Sequence, residues 1–161
     1  MLFRTALPVV EEFSSPRAWA FSLLGLDAYC AVVVADISAE RVRRLLADRL
    51  TSMLIASEQD RWPWFESVLA YDNARLPQAL IQTGMTTRTS SYVAAGLLSL
   101  RWLMALQTAP SGCFRPVGTK SFGQFRQKPE AFDQQPVEAA ASISACLAAA
   151  RADDGSARVV G

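Results

Sequence analysis

A chain of 161 residues fits one domain, and with 51% of them hydrophobic against 19% charged it has apolar surface enough for a core and no compositional ground for global disorder. Sixteen Lys and Arg against fifteen Asp and Glu leave a net charge of +1, too weak a field to gather nucleic acid or anionic lipid. Histidine is absent, which excludes Ser-His and Cys-His nucleophiles and removes the commonest zinc and iron ligand.

No metal and no cofactor are therefore expected, and acid–base chemistry would fall to carboxylates, Lys or Tyr. The cysteines, Cys30, Cys113 and Cys146, are odd in number and far apart. That fits neither a disulfide framework nor a metal knuckle, and the simplest compartment is a reducing cytoplasm. Residues 1–13 lack the apolar run of a secretory signal, being interrupted by Glu11 and Glu12. They and residues 153–161 are expected to be flexible ends of a single domain spanning 1–161.

Ser14-Ser15-Pro16 reads as a helix start, because Ser can cap orphan N–H groups and Pro is tolerated at the first helical position. The helix that follows, about 16–35, is apolar on nearly all sides, as expected of one enclosed by neighbours. Ser22, Gly25 and Asp27 in its middle, and its marginal length, favour a buried helix over a membrane span. Ser38 is expected to cap a second helix, about 39–57, in which Val42, Leu45, Leu46, Leu50, Met53 and Leu54 recur at three- and four-residue spacing. Its other face carries Arg41, Arg43, Arg44 and Asp48, read as solvated charge.

Trp62-Pro63-Trp64-Phe65-Glu66 forms a rigid aromatic connector, since Pro63 biases Trp62 toward extended geometry. A third helix runs to about 82–83, its main portion capped by Asp72 or Asn73, with Pro77 in the first turn and Gly84 as the left-handed terminal residue. A fourth spans about 91–107 along Val93, Leu97, Leu100 and Met104. Between 109 and 135 lies a long Gly- and Pro-bearing loop whose Phe114, Phe122, Phe125 and Phe132 argue against plain disorder. Pro136 opens a fifth helix, to about 151, with Glu138 near its positive end. No convincing β alternation appears, so the predicted fold is all-α, built from helical hairpins of unequal length.

The segment GCFRPVGTKS at 112–121 imitates a phosphate loop but has one residue too many between its glycines, places Thr119 between Gly118 and Lys120, and follows no strand. Two polar clusters are more informative. Tyr71, Asp72 and Asn73 gather hydrogen-bonding groups beside the connector with Trp64 and Glu66; Asp133, Gln134, Gln135 and Glu138 do the same at the last helix start. Aromatic faces stack on sugar rings, and carboxylates and amides bond their hydroxyls. If both starts open at one end of a helical ring, these groups converge on one cavity. Glu66 and Asp72 are then the first candidates for an acid–base pair acting on a glycosidic bond, with Asp133 and Glu138 as further carboxylates. Two readings fit: saccharide ligands, or helix caps with the Trp residues in the core.

The strings PRAWAF, LADRL, WPWFE, LAYDNARLPQALI, GLLSLRWLMALQ and FDQQPVEAAA together resemble a helical domain of bacterial glycosyltransferase-associated proteins. That domain is similar to the six-hairpin glycosidase toroids and is often fused to, or encoded beside, a group 1 glycosyltransferase. The resemblance covers about 13–154 and implies part of an (α/α)6-type toroid in polysaccharide metabolism, with a saccharide as ligand. Members of that family continue beyond the position of Asp154 with further helices and a motif near NQGAEST, and none of their Rossmann part is present here. An incomplete ring is thus expected, its open face covered by a second copy or by a missing partner domain, or else left bare in a poorly stable chain. The rival expectation is a noncatalytic helical scaffold or interaction domain.

Overall fold

Proline, aspartate and paired small residues decide where the helices begin and how closely they pack. The computed structural model describes residues 2–58, 62–121, 125–126, 130 and 132–157. Among them are six α-helices: α1 (Leu2–Glu11), α2 (Pro16–Val32), α3 (Ile37–Glu58), α4 (Arg75–Thr87), α5 (Ser90–Leu106) and α6 (Pro136–Ala157), with a 3-10 turn at Thr119–Ser121. The described residues contain no β-strand, only isolated bridges such as Thr108 with Phe114 and Gly118 with Gln134. The fold is all-helical.

Helix contacts fall into two rows. One holds α2, α4 and α6, with α4 in the middle; the other holds α3 and α5, and α1 lies against α3. The core between the rows includes Leu23 and Leu26, Leu46, Leu50 and Leu54, Leu76, Leu80 and Ile81, and Leu103, all fully buried. Trp64 and Phe65 of the connector join it. Trp102 stacks on Trp64 at 5.6 Å between ring centroids, and Trp62 meets Trp102 edge-on at 4.8 Å. The aromatic connector is thus core, in geometries that aromatic quadrupoles favour.

Several local expectations need correction. Residues 2–11, for which the sequence suggests no helix, form α1. Asp36, and not Ser38, caps α3: its Oδ1 accepts the N–H groups of Ser38 at 3.2 Å and Ala39 at 3.3 Å, while Oδ2 takes the Tyr29 hydroxyl at 2.9 Å. Those donors hold the Asp36 carboxyl below the usual carboxylate range, the Tyr29 hydroxyl most of all. Ser15 precedes α2 as expected but its side chain makes no cap bond. Nor is α2 enclosed on every side, because Phe21 and Val32 are exposed while Trp19, Ala20, Leu23 and Leu26 are buried.

The charged face of α3 is only partly solvated. Arg43 is buried and donates to Asp27 at 2.9 Å, and Asp27 also accepts from the hydroxyls of Thr83 at 2.9 Å and Thr86 at 3.0 Å. One carboxylate on α2, its side chain 9% exposed, therefore binds α3 and α4 together, a placement that an isolated Asp or Arg could not tolerate.

Gly84 does not end α4. Arg88 takes the left-handed conformation there, at φ 55°, and Gly84 stays inside the helix. Its missing side chain lets α5 approach: a Cβ would stand 2.6 Å from Cγ2 of Val93. Gly96 plays the reciprocal part on α5, since its Cβ would stand 2.7 Å from Cγ1 of Ile81 and 2.9 Å from the Pro77 carbonyl oxygen. Gly96→Ala should therefore destabilise the fold by about 1–3 kcal/mol through overpacking. Gly25, exposed in mid-helix with nothing near a Cβ, is the control: Gly25→Ala should stabilise by about 0.5–1 kcal/mol. Urea unfolding midpoints of the two variants check the opposite signs.

Candidate functional site

The N-terminal ends of α2 and α6 and the turn that leads into α4 meet at one buried polar cluster. It begins with a backbone conformation. Asp72 adopts φ 55°, a left-handed geometry that Asp and Asn tolerate better than most residues, and this points the consecutive N–H groups of Asp72 and Asn73 the same way. The carboxylate of Glu138, from the first turn of α6, fills that concavity. Its Oε1 accepts the Asp72 N–H, and Oε2 accepts the Asn73 N–H at 3.3 Å and the Asn73 side-chain amide at 3.0 Å.

Asn73 continues the chain of bonds. Its Oδ1 accepts from the Ala70 N–H at 3.0 Å and from Arg17 at 3.1 Å, and its amide also donates to the Ala70 carbonyl. Arg17, in the first turn of α2, uses all three nitrogens: one on Asn73, one on Glu66, and Nε on the Tyr71 carbonyl at 2.9 Å. Asn73 and Glu138 are fully buried, Asp72 and Arg17 nearly so. Burial pushes the Glu138 carboxyl above its ordinary value, and the amide donors only partly offset that.

Of the residues expected to form a site, Glu66, Asp72, Asn73 and Glu138 are thus brought together, and Tyr71, 52% exposed, lies at their edge with its ring over Arg17. The others are elsewhere. Trp64 is fully buried in the aromatic core, where a saccharide cannot reach its face. Asp133, Gln134 and Gln135 are exposed on the loop before α6. The Asp133 carboxylate lies 3.4 Å from Lys120, its carbonyl accepts from Thr119, and Gln134 bridges to Gly118, so these residues hold the loop to its own turn. Asp72 and Asn73 do not cap α4 through their side chains; Ala74 occupies that position.

The geometry also bears on chemistry. The candidate carboxylates differ in how they are held: Glu66 is bonded by Arg17 and Glu138 by the amides, Asp133 faces Lys120 at the surface, and Asp72 Oδ1 lies 3.3 Å from Arg75 Nε without a hydrogen bond. No group of three or more acidic or cysteine side chains suited to a metal occurs among the described residues. No protein-family model, curated protein or solved structure matches this chain.

Arg17 lies outside the acid and amide pattern of the sequence. Its signal is nonetheless in the sequence: a lone Arg in the first turn of an apolar helix needs a carboxylate if it is buried. Gln107, at the end of α5, ties the start of the long loop to α6. Gln107, fully buried, donates to Ser142 of α6 at 3.2 Å and accepts the Val117 N–H at 3.1 Å. Of the loop phenylalanines, Phe114, Phe125 and Phe132 are exposed, and Phe122 lies outside the described residues.

A titration follows from the Glu138 environment. With its folded-state pKa raised, the folded protein holds this proton more tightly than the unfolded chain, so the group favours folding at low pH, and that contribution is lost as pH rises through the raised value. The stability advantage of the wild type over Glu138→Gln should therefore shrink as pH rises from 4.5 toward neutrality, as read from urea midpoints. An advantage that grows over that interval would show that the amide donors outweigh burial at Glu138.

Proposed function

We propose that this chain is a noncatalytic helical interaction module, an arc of an (α/α)6-type toroid that serves polysaccharide metabolism by holding a partner and not by cleaving a bond. The alternate packing of α2, α4 and α6 in one row and α3 and α5 in the other supports the arc. The observation that carries the noncatalytic reading is the occupation of Glu138 by three N–H donors, with the Glu66 carboxylate held by Arg17. A general acid or base needs a lone pair or proton directed at substrate.

The same helices leave a surface for docking. Grooves of about 810, 430 and 350 Å³ follow one another along α5 and α6, sharing Leu97, Met104 and Cys146; the smallest is apolar, and Arg101 and Asp153 flank the middle one. Ile143 and Leu147 stand exposed beside them. Contiguous apolar surface of this kind marks interaction sites on soluble domains. If the face serves docking and not the core, Ile143→Ser with Leu147→Ser should leave the stability of dilute protein within about 0.5 kcal/mol of wild type. A loss of several kcal/mol would assign both residues to the fold.

One observation favours a second reading, a saccharide at the rim of the polar cluster: the half-exposed Tyr71 ring sits over the Arg17 guanidinium, beside the partly exposed Glu66. A sugar could stack there while Glu66 and Arg75 bond its hydroxyls. Titration with neutral and acidic oligosaccharides, followed by amide chemical shifts, tests it. Shifts around Tyr71 that vanish in Tyr71→Ala support the rim, and their absence removes carbohydrate from the account.

A further inference from the structure

The helix α6 is built the wrong way round for a helix at the edge of a bundle. Its inner stripe, against the other helices, is small: Ala141, Ala145 and Ala148 are buried beyond Glu138. Its largest apolar side chains face outward, Ile143 at 62% and Leu147 at 55% exposure. Between Glu138 and Arg151 it carries no Asp, Glu, Lys or Arg at all. A helix apolar on every side is normally enclosed on every side, and α6 is covered on one.

The outward residues have an order that selects the cover. Ala140, Ile143, Leu147 and Ala150, all exposed, are spaced three, four and three, the a and d positions of a heptad seam. Read in reverse, the seam is again small, large, large, small. An antiparallel copy centred on Ala145 therefore sets Ala140 against Ala150 and Ile143 against Leu147, then repeats both pairs across the two-fold axis. Such an isologous contact requires a surface complementary to itself, and any charge within it would meet its own kind or a desolvated neighbour. This seam has none. The groove of about 350 Å³ between Phe114 and α6, lined also by Met104 and Ala139, opens beside the seam and can receive a flanking side chain of the second helix.

We infer that the occupant of the α6 face is α6 of a second copy of this chain, packed antiparallel across a two-fold axis. The inference rests on the docking-module proposal and names its partner. The seam is roughly 15 Å long at 1.5 Å per residue, at the small end of specific interfaces, so the dimer is weak and concentration-dependent.

Sedimentation equilibrium of the whole chain, over about 1 µM to about 1 mM, tests it. The wild type should show a reversible monomer–dimer equilibrium, and Ile143→Glu should weaken it by more than about 100-fold, because symmetry buries the charge twice. Ile143→Ser provides the same reading should the charge disturb folding, with circular dichroism confirming helix content in both. The double variant Ala140→Glu/Ala150→Lys discriminates direction: antiparallel packing pairs Glu with Lys at both ends and keeps or tightens the dimer, whereas parallel packing sets like charges together and weakens it. A wild type monomeric throughout, a dimer indifferent to both Ile143 substitutions, or a dimer weakened by the charge pair each overturns the inference. The first of these leaves the docking module standing with another helix as partner, and only the stability loss in Ile143→Ser with Leu147→Ser removes the module itself.

Discussion

The carboxylate of Glu138 in the amide concavity of Asp72 and Asn73 is the constraint on which the arrangement of this fold depends. It reaches from α6 across to the turn before α4, and Asn73 passes the connection to Arg17 on α2 and, through Arg17, to Glu66 in the connector. Three helix starts are thereby fixed to one another without a shared strand or disulfide. Arg17, Asn73 and Glu138 would each be costly alone in the interior, and their donors and acceptors satisfy one another.

The Asp27–Arg43 pair performs the same task where α2, α3 and α4 meet, with Thr83 and Thr86 completing the shell of the carboxylate. Burial raises the Asp27 pKa more strongly than these donors lower it, so this contact sets orientation more than it adds stability. Close approach comes from small residues. Gly84 and Gly96 let α4 and α5 touch backbone to side chain, and the alanines of α6 let it lie against α4. Directional bonds choose the partners, and small residues set the spacing.

Much of this was legible in the sequence. Apolar spacing of three and four located α3 and α5, and Pro16 and Pro136 marked the first residues of α2 and α6. Left-handed geometry at Arg88 instead of Gly84 was not legible, because the glycine was needed for packing against Val93, a demand that only the neighbouring helix creates. The burial of Arg43 was hidden for a similar reason: a basic run on a helix looks solvated until Asp27 on another helix is seen to face it.

The candidate site divides along the same line. The sequence offered convergence of Tyr71, Asp72, Asn73 and Glu138 only on condition that their helix starts share one end, whereas the burial of Asp72, Asn73 and Glu138, and the diversion of Asp133 and Gln134 to the loop at Gly118, depended on contacts between segments far apart in the chain. Trp64 carried the ambiguity common to aromatic residues, which suit a sugar platform and a core equally well.

The most direct measurement of the central contact is hydrogen exchange at the two backbone amides of Asp72 and Asn73. They lie outside any helix, and water would exchange them rapidly in an open turn. Held by a buried Glu138, they should exchange only through large-scale unfolding, with protection approaching that of core amides in α4. Exchange at the rate of exposed loop amides would show that the carboxylate does not bind there, and the account of how α2, α4 and α6 are held together would fail.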